Sequence, residues 1–125
     1  MREVVKTEKA PKAIGPYSQA IKTGGLLFVS GQIPLDPETG ELVGTDIVTQ
    51  TRKVLDNLKA VIKAGSSELE NVAKCTCFLA DMNDFTAFND VYKEYFGIIA
   101  PARECIAAAG LPKGARVEVS AICCL

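Results

Sequence analysis

The sequence predicts an α+β fold in which one mixed six-stranded sheet is covered on one face by two helices, as a two-layer sandwich. Two segments have apolar residues at helical spacing, six others are short and rich in strand formers, and each helix leads into a strand. Residues 1–125 should form a single domain, because a chain of this length buries enough surface for one core. Two helices cannot cover both faces of such a sheet, so we expect another subunit, related by closed symmetry, on the second face.

Six short strands are predicted along the chain, at residues 2–7, 17–23, 26–31, 72–80, 103–109 and 116–124. The second and third should form a hairpin, because Gly24-Gly25 between them readily adopts the positive φ of a two-residue turn. Residues 36–40, with the sequence Asp-Pro-Glu-Thr-Gly, have the composition of an exposed loop. The strand at 72–80 should be central in the sheet, since it is apolar along most of its length.

The first amphipathic helix is predicted from apolar residues that recur at helical spacing between Ile47 and Ile62. Thr45 or Asp46 can cap its start, because a short polar side chain there accepts a hydrogen bond from a free backbone N–H group. Gly65 is placed to end it.

The second helix is predicted to be capped by Asn83 and ended by Gly97, and its apolar stripe consists of Phe85, Phe88, Val91, Tyr92, Tyr95 and Phe96. Asn89 lies four residues after Phe85 and three before Tyr92. Its side chain should therefore point with the stripe rather than into solvent.

An arginine and a glutamate lie in the last two predicted strands, which we expect to be neighbours joined by a short turn. Arg103 and Glu118 have apolar neighbours, and desolvating either charge without a function would be costly. The pair is a candidate binding site for a small carboxylate; the alternative is a cross-strand salt bridge on a solvated face, worth under about 1 kcal/mol. Cys105 should face the same side as Arg103, and Glu104 the other side.

The charge pattern argues against two classes of partner. The net charge is −1 and the acidic and basic residues are interspersed, so neither nucleic acid nor an anionic membrane is expected as a partner. No apolar stretch approaches the length of a bilayer span, and residues 1–6 lack the apolar segment of a secretory signal. We therefore expect a soluble, cytoplasmic protein.

Neither a metal nor a cofactor is expected. Histidine is absent, so any chemistry must proceed without imidazole as a base, acid or metal ligand. Five cysteines are an odd number, and their C-x-C and C-C spacings differ from the C-x-x-C pairs of zinc sites. Cys75 and Cys77 should be buried, reduced thiols that face one side of a strand.

Six blocks of sequence resemble the Rid (YjgF) family, in the right order and over essentially the whole chain. They are GPYSQA at 15–20, VSGQIP at 29–34, QTR at 50–52 with VLDNL at 54–58, NDVY at 89–92, PAR at 101–103, and LPKGA at 111–115 with VEV at 117–119. The reactive intermediate deaminase branch is the most similar. This resemblance implies a chorismate-mutase-like α+β fold and a homotrimer with a central barrel and sites in the clefts between subunits.

The activity that the resemblance implies is hydrolysis of 2-imino acids, the imine and enamine products of pyridoxal-phosphate dehydratases, to 2-oxo acids and ammonia. Arg103 would bind the substrate carboxylate through its planar fork, a geometry that lysine cannot reproduce. Glu118 would orient and deprotonate the attacking water, and burial at a subunit interface would raise its pKa toward the working pH.

The resemblance also implies roles for five residues that would be unremarkable alone. Tyr17 would place a hydroxyl near the reacting carbon, and Cys105 would donate a backbone hydrogen bond to the imine or oxo group. Ser30 and the backbone of Gly31 would line the pocket, and Asn89 is a weaker candidate for substrate binding. Taken singly, Tyr17 would be a strand or turn aromatic with its hydroxyl in water, and Cys105 a buried thiol. Ser30 and Gly31 would be a strand end, and Asn89 a helix-surface or packing amide.

Three departures from the family pattern, and one alternative function, stay open. Glu104 replaces a small uncharged residue, Ser120 stands where many members have a second glutamate, and residues 107–110 are unusually small. The alternative is a carboxylate-binding regulator or holdase of the same fold without turnover. The ribonuclease activity linked with such proteins fits poorly, because there is no histidine and no basic or aromatic stripe to hold RNA.

Overall fold

The computed structural model describes residues 1–125 and contains two α-helices, six strands and three short 3₁₀ turns. The strands are β1 (Glu3–Val5), β2 (Ala20–Thr23), β3 (Leu26–Gln32), β4 (Val72–Leu79), β5 (Ala102–Ala107) and β6 (Val117–Cys124). The helices are α1 (Ile47–Ala64) and α2 (Phe85–Phe96). The predicted two-layer α+β fold with one mixed sheet is thereby confirmed. No helix has the combined length and hydrophobicity that a membrane span requires.

The strands form one sheet in the order β1-β2-β3-β6-β4-β5, in which only β4 and β5 pair in parallel. The prediction that the last two strands are neighbours is therefore wrong. β4, α2 and β5 form a βαβ unit, and its helical crossover places β5 parallel beside β4. β6 then pairs antiparallel with the other edge of β4, so that β4 lies between the strands that carry Arg103 and Glu118.

The core lies between the helices and one face of the sheet. Alternate strand residues point into it, as period two requires, and the fully buried members include Leu27, Val54, Leu58, Ile62, Leu79, Phe88, Val117 and Val119. The other face has no cover within the chain, and we call it the open face. Val4, Phe28 and Ile106 on this face are 51%, 40% and 53% exposed. The predicted uncovered face is therefore present.

An aspartate directly precedes each helix. Asp46, rather than Thr45, caps α1 and accepts a hydrogen bond from the N–H of Thr49 at 2.9 Å. The prediction that Asn83 caps α2 is wrong, because Asp81 accepts a hydrogen bond from the N–H of Asn83 at 2.9 Å. That bond caps a 3₁₀ turn at Met82–Asp84, which continues directly into α2. Asp84, the residue before α2, makes no side-chain capping bond.

The first two strands are shorter than predicted because a buried side chain replaces part of their ladder. The amide of Gln19 accepts a hydrogen bond from the N–H of Thr7 at 2.7 Å and donates to the carbonyl of Pro11 at 2.8 Å. One side chain thus satisfies backbone groups of the segment between β1 and β2, which consequently runs as a loop beside the sheet. The remaining strand ends lie within two residues of the predicted ones.

Gly65 ends α1 as predicted, but its conformation is not the reason. Its φ is −83°, which any residue adopts, and the left-handed residue is Ser66 at φ 64°. A Cβ atom on Gly65 would lie 2.6 Å from Cδ2 of Leu27 on β3. The glycine is therefore needed for close packing of the helix end against the sheet.

We predict that Gly65→Ala lowers the free energy of unfolding by about 1–3 kcal/mol, the usual cost of overpacking a buried site. Denaturant unfolding at a fixed protein concentration measures it. Gly110→Ala is the matched control, because a Cβ at Gly110 has no neighbour within 4 Å. Equal stability of the two variants would show that the contact with Leu27 relaxes without cost.

Candidate active site

Four of the predicted site residues line one cleft of about 520 Å³. They are Tyr17, Ser30, Gly31 and Glu118, which come from the loop before β2, from β3 and from β6. Lys12 and Lys113 also line this cleft and were not singled out from the sequence. Neighbouring strands β3 and β6 therefore bring together the half of the site that contains the candidate base.

Glu118 lies on the open face of β6, between Val117 and Val119, whose side chains are buried on the helix side. Its carboxylate makes no hydrogen bond or ion pair within the chain, and burial raises its pKa. An acid with a raised pKa and no partner is suited to accept a proton.

Gly31 makes room for that carboxylate. An ideal Cβ on Gly31 would overlap Oε2 of Glu118 and would lie 2.9 Å from its Cδ atom. The residue lies where β3 shifts register against β6, between Val29 and Gln32. The glycine therefore serves the position of the Glu118 side chain, in addition to exposing backbone to a ligand.

Tyr17 and Ser30 are held by backbone contacts at the same cleft. The hydroxyl of Ser30 donates to the carbonyl of Ser18, and the N–H of Ser30 donates to the carbonyl of Gln19 at 3.0 Å. The hydroxyl of Tyr17 accepts a long hydrogen bond of 3.4 Å from the N–H of Ile14. Because Tyr17 is only an acceptor in that bond, its own proton is available to a ligand.

The other three candidates, Arg103, Cys105 and Asn89, lie on the helix side of the sheet at β5 and α2. Nη1 of Arg103 donates to Oδ1 of Asn89 at 2.7 Å. The prediction that Asn89 points with the apolar stripe is thereby confirmed. The guanidinium also lies over two aromatic rings of α2, with its carbon 4.7 Å from the Tyr92 centroid and 5.5 Å from the Phe85 centroid.

Cys105 faces the core beside Arg103, whereas Glu104 points to the open face, as strand parity predicted. Glu104 forms an ion pair with Lys74 at 2.8 Å, so its negative charge is paired on the face opposite to Arg103. Burial raises the pKa of the Cys105 thiol. The thiol is consequently protonated at neutral pH and is a poor nucleophile.

The backbone N–H of Cys105 points to the free edge of the sheet. The N–H of Ala108 donates inward to the carbonyl of Leu79 at 2.8 Å, which extends the β4–β5 pairing by one bond. Because successive N–H groups of a strand point to opposite sides, those of Arg103, Cys105 and Ala107 point outward from this edge strand. This geometry suits the backbone role that the family resemblance implies.

All five cysteines are free thiols, and Cys75, Cys77 and Cys123 are buried. The expectation of buried, reduced thiols at Cys75 and Cys77 is confirmed. Burial raises the pKa of each, and that of Cys123 to about 12. No group of three or more cysteine or acidic side chains is arranged to hold a metal ion.

Arg103 and Glu118 are far apart within one chain. Arg103 is opposite Cys75 and Glu118 is opposite Phe78 on the intervening strand, and the two side chains leave opposite faces of the sheet. Two strand spacings alone separate them by roughly 10 Å. The cross-strand salt bridge weighed as an alternative is therefore absent, and one chain cannot place both groups on the same small molecule.

Tyr92 and Phe85 were placed in the apolar stripe of α2, and their contact with Arg103 was missed. The spacing that put Asn89 on the same face already contained the signal, because residues three and four apart on a helix surround one point. The second part of this signal was Arg103, which lies on the strand that this face of α2 covers.

Residues 7–125 match the family described as Endoribonuclease L-PSP. The chain belongs to this family. It is the family that the sequence motifs indicated under the name Rid (YjgF), so that resemblance is confirmed. Among the curated members of the L-PSP family, the RutC family protein PH0854 of Pyrococcus horikoshii is 55% identical over 122 residues, which cover 98% of this chain and 97% of that protein.

Two further L-PSP relatives have informative names. The 2-iminobutanoate/2-iminopropanoate deaminase of Capra hircus is 47% identical over 122 residues, covering 98% of this chain and 89% of that protein. The solved structure of E. coli TdcF with bound serine is similar at a TM-score of 0.94 and 40% identity, with 98% of each chain covered.

We predict that the pKa of Glu118, measured by carboxyl carbon NMR, lies above the ordinary glutamate value of 4.5 and falls toward it in Gly31→Ala. An added Cβ would push the carboxylate outward, and hydration would then favour its charged form. Gly110→Ala, which adds the same methyl group in open space, should leave this pKa unchanged. A pKa at or below 4.5 in the wild type would show that Glu118 is hydrated.

Proposed function

We propose that the protein hydrolyses 2-imino acids and their enamine tautomers, released by pyridoxal-phosphate dehydratases, to 2-oxo acids and ammonia. The observation that carries the proposal is the carboxylate of Glu118, which is partly desolvated, has no partner within the chain and lines the cleft beside Tyr17. A receptor for small carboxylates needs a cation and has little use for such an acid. The deaminase name of a 47% identical relative supports the reaction, and serine bound to a related structure supports an α-substituted carboxylate as the ligand class.

The site is proposed to form between two chains of a homotrimer. One chain supplies Arg103, Cys105 and Asn89 from its helix side, and the next supplies Tyr17, Ser30, Gly31 and Glu118. The support is geometric, because these two sets lie on opposite faces of one sheet and the open face carries exposed apolar residues. Joining two copies covers apolar surface and completes the site in one step.

Substrate binding in this site follows from the donors at β5. The guanidinium of Arg103 presents a planar pair of N–H groups to the substrate carboxylate, which gives two parallel charge-assisted hydrogen bonds. The outward N–H of Cys105 donates to the nitrogen of the imine. These contacts orient the C=N carbon toward Glu118 and Tyr17 of the adjacent chain.

Hydrolysis then needs one base and one water. Glu118 accepts a proton from water as the water oxygen bonds to the C=N carbon, and the nitrogen takes up a proton to give a carbinolamine. The hydroxyl of Tyr17 stabilises the new oxygen by donating a hydrogen bond. The protonated Glu118 then transfers its proton to the amino nitrogen and accepts the second oxygen-bound proton as the C–N bond breaks. Ammonia and the 2-oxo acid are released, and Glu118 returns its proton to solvent, which replaces the one that the nitrogen took up.

We predict that Glu118→Gln lowers kcat by about a hundredfold or more, the scale of a lost general base, and leaves 2-oxobutanoate binding nearly intact. The assay couples a threonine dehydratase to this protein and follows the appearance of the 2-oxo acid. In the wild type the rate should rise with pH through the raised pKa of Glu118, because only the deprotonated acid accepts a proton. Glu118→Gln should lose this acidic limb.

Glu38→Gln, the same change in an exposed loop, is the control and should keep the full rate. If the wild type does not accelerate formation of the oxo acid but binds it, the protein is a non-catalytic carboxylate receptor or holdase of the same fold. Normal turnover by Glu118→Gln would remove the assigned role of the acid.

A second prediction concerns the two-chain site. When Arg103→Lys and Glu118→Gln chains are co-expressed in equal amounts, about a quarter of the sites should combine the intact residue of each chain and regain activity. Co-expression of the wild type with the double variant calibrates the mixing and should also give about a quarter. Sites built within one chain would give no recovery in the first mixture and about half of the wild-type activity in the second.

A further inference from the structure

We propose that Tyr92 is a positioning residue for Arg103: its ring, together with Phe85 and Asn89, fixes the plane in which the guanidinium meets the substrate carboxylate. The inference rests on the proposed function, because it assumes that Arg103 binds a carboxylate. Tyr92, Phe85 and Asn89 are called the arginine cradle below.

The guanidinium of Arg103 makes one hydrogen bond and contacts two aromatic rings in the cradle. Asn89 accepts one N–H of Nη1 at 2.7 Å, while the ring centroids of Tyr92 and Phe85 lie 4.7 and 5.5 Å from the guanidinium carbon. A cation over an aromatic face is attracted by the ring quadrupole. A guanidinium has five N–H groups, so those that Asn89 does not use are free for a bidentate contact.

The ring of Tyr92 is itself held in place. It is 5% exposed and packs against Phe88, at 5.6 Å between centroids, and Phe96, at 4.7 Å. These three aromatic residues follow one another at helical spacing along α2. The core therefore supplies a fixed surface on which Arg103 rests.

The hydroxyl of Tyr92 does not contribute to this function. It is buried and has no oxygen or nitrogen partner; its only polar neighbour is the Cys75 thiol, which is a weak hydrogen-bonding group. Burial also raises the pKa of Tyr92, so the ring stays neutral. The face of the ring and not its polar group is thus what Arg103 contacts, and this distinction makes the proposal testable with two variants of one residue.

The experiment compares Tyr92→Phe, which keeps the ring, with Tyr92→Leu, which removes it. We expect Tyr92→Leu to weaken 2-oxobutanoate binding by about 3- to 10-fold, the size of a partly desolvated cation–π contact, and to raise KM with little change in kcat. Tyr92→Phe should restore binding to within about twofold of the wild type. Isothermal titration calorimetry and the coupled assay give these quantities.

Phe88→Leu is the matched control, because Phe88 packs on Tyr92 in the core and is not among the rings that contact Arg103. If it weakens binding as much as Tyr92→Leu does, the effect comes from loosening of the core and the proposal is wrong. If Tyr92→Leu does not fold, Phe85→Leu replaces it, since Phe85 is only partly buried and its ring also contacts the guanidinium.

Arg103→Lys separates failure of this inference from failure of the proposed function. If Arg103→Lys leaves 2-oxobutanoate binding unchanged, Arg103 does not bind the carboxylate and both ideas fail. If it weakens binding while Tyr92→Leu does not, only the cradle is wrong. In the variant that combines Arg103→Lys with Tyr92→Leu, the fold-loss of 2-oxobutanoate affinity should be smaller than the product of the two single fold-losses, because Tyr92 acts through Arg103. Losses that multiply as independent effects would overturn the proposal.

Discussion

The parallel pairing of β4 with β5 determines where both parts of the candidate site lie. Since α2 connects these two strands, the crossover carries β5 to the outer edge of the sheet and leaves the inner edge of β4 to β6. Arg103 is thereby placed under α2 at an edge with free N–H groups, and Glu118 is placed among the inner strands beside β3. An antiparallel hairpin of β5 with β6 would have put the two charges on adjacent strands, without β4 between them.

The helix α2 serves the core and the site with the same residues. Tyr92 closes the core against Phe88 and Phe96, and its outer side supports the Arg103 guanidinium. Gly31 also has a packing role at the site, because the Glu118 carboxylate occupies the space that a side chain at Gly31 would fill. In both places ordinary packing positions a candidate site group, Arg103 in the first and Glu118 in the second. The same atoms therefore contribute to folding and to the candidate site.

Local features of the fold could be predicted from the sequence, because local rules determine them. The Gly24-Gly25 hairpin and α1 follow from turn chemistry and periodicity, and parity alone put Cys105 beside Arg103 and Glu104 on the opposite face. Strand order depends on pairing between distant segments, which no local pattern encodes, and the neighbours of β5 were consequently predicted wrongly. The set of site residues came from family motifs; their division between two faces required the register of β4 with both of its partners.

The division of the site between two sheet faces has a consequence for how activity depends on the amount of protein. A single folded chain would hold a base without an anchor on one face and an anchor without a base on the other. Below the concentration at which chains associate, catalytic capacity would then follow a higher power of chain concentration than the first, by mass action. Abundance would control such a protein more steeply than it controls an enzyme whose site is complete in one chain.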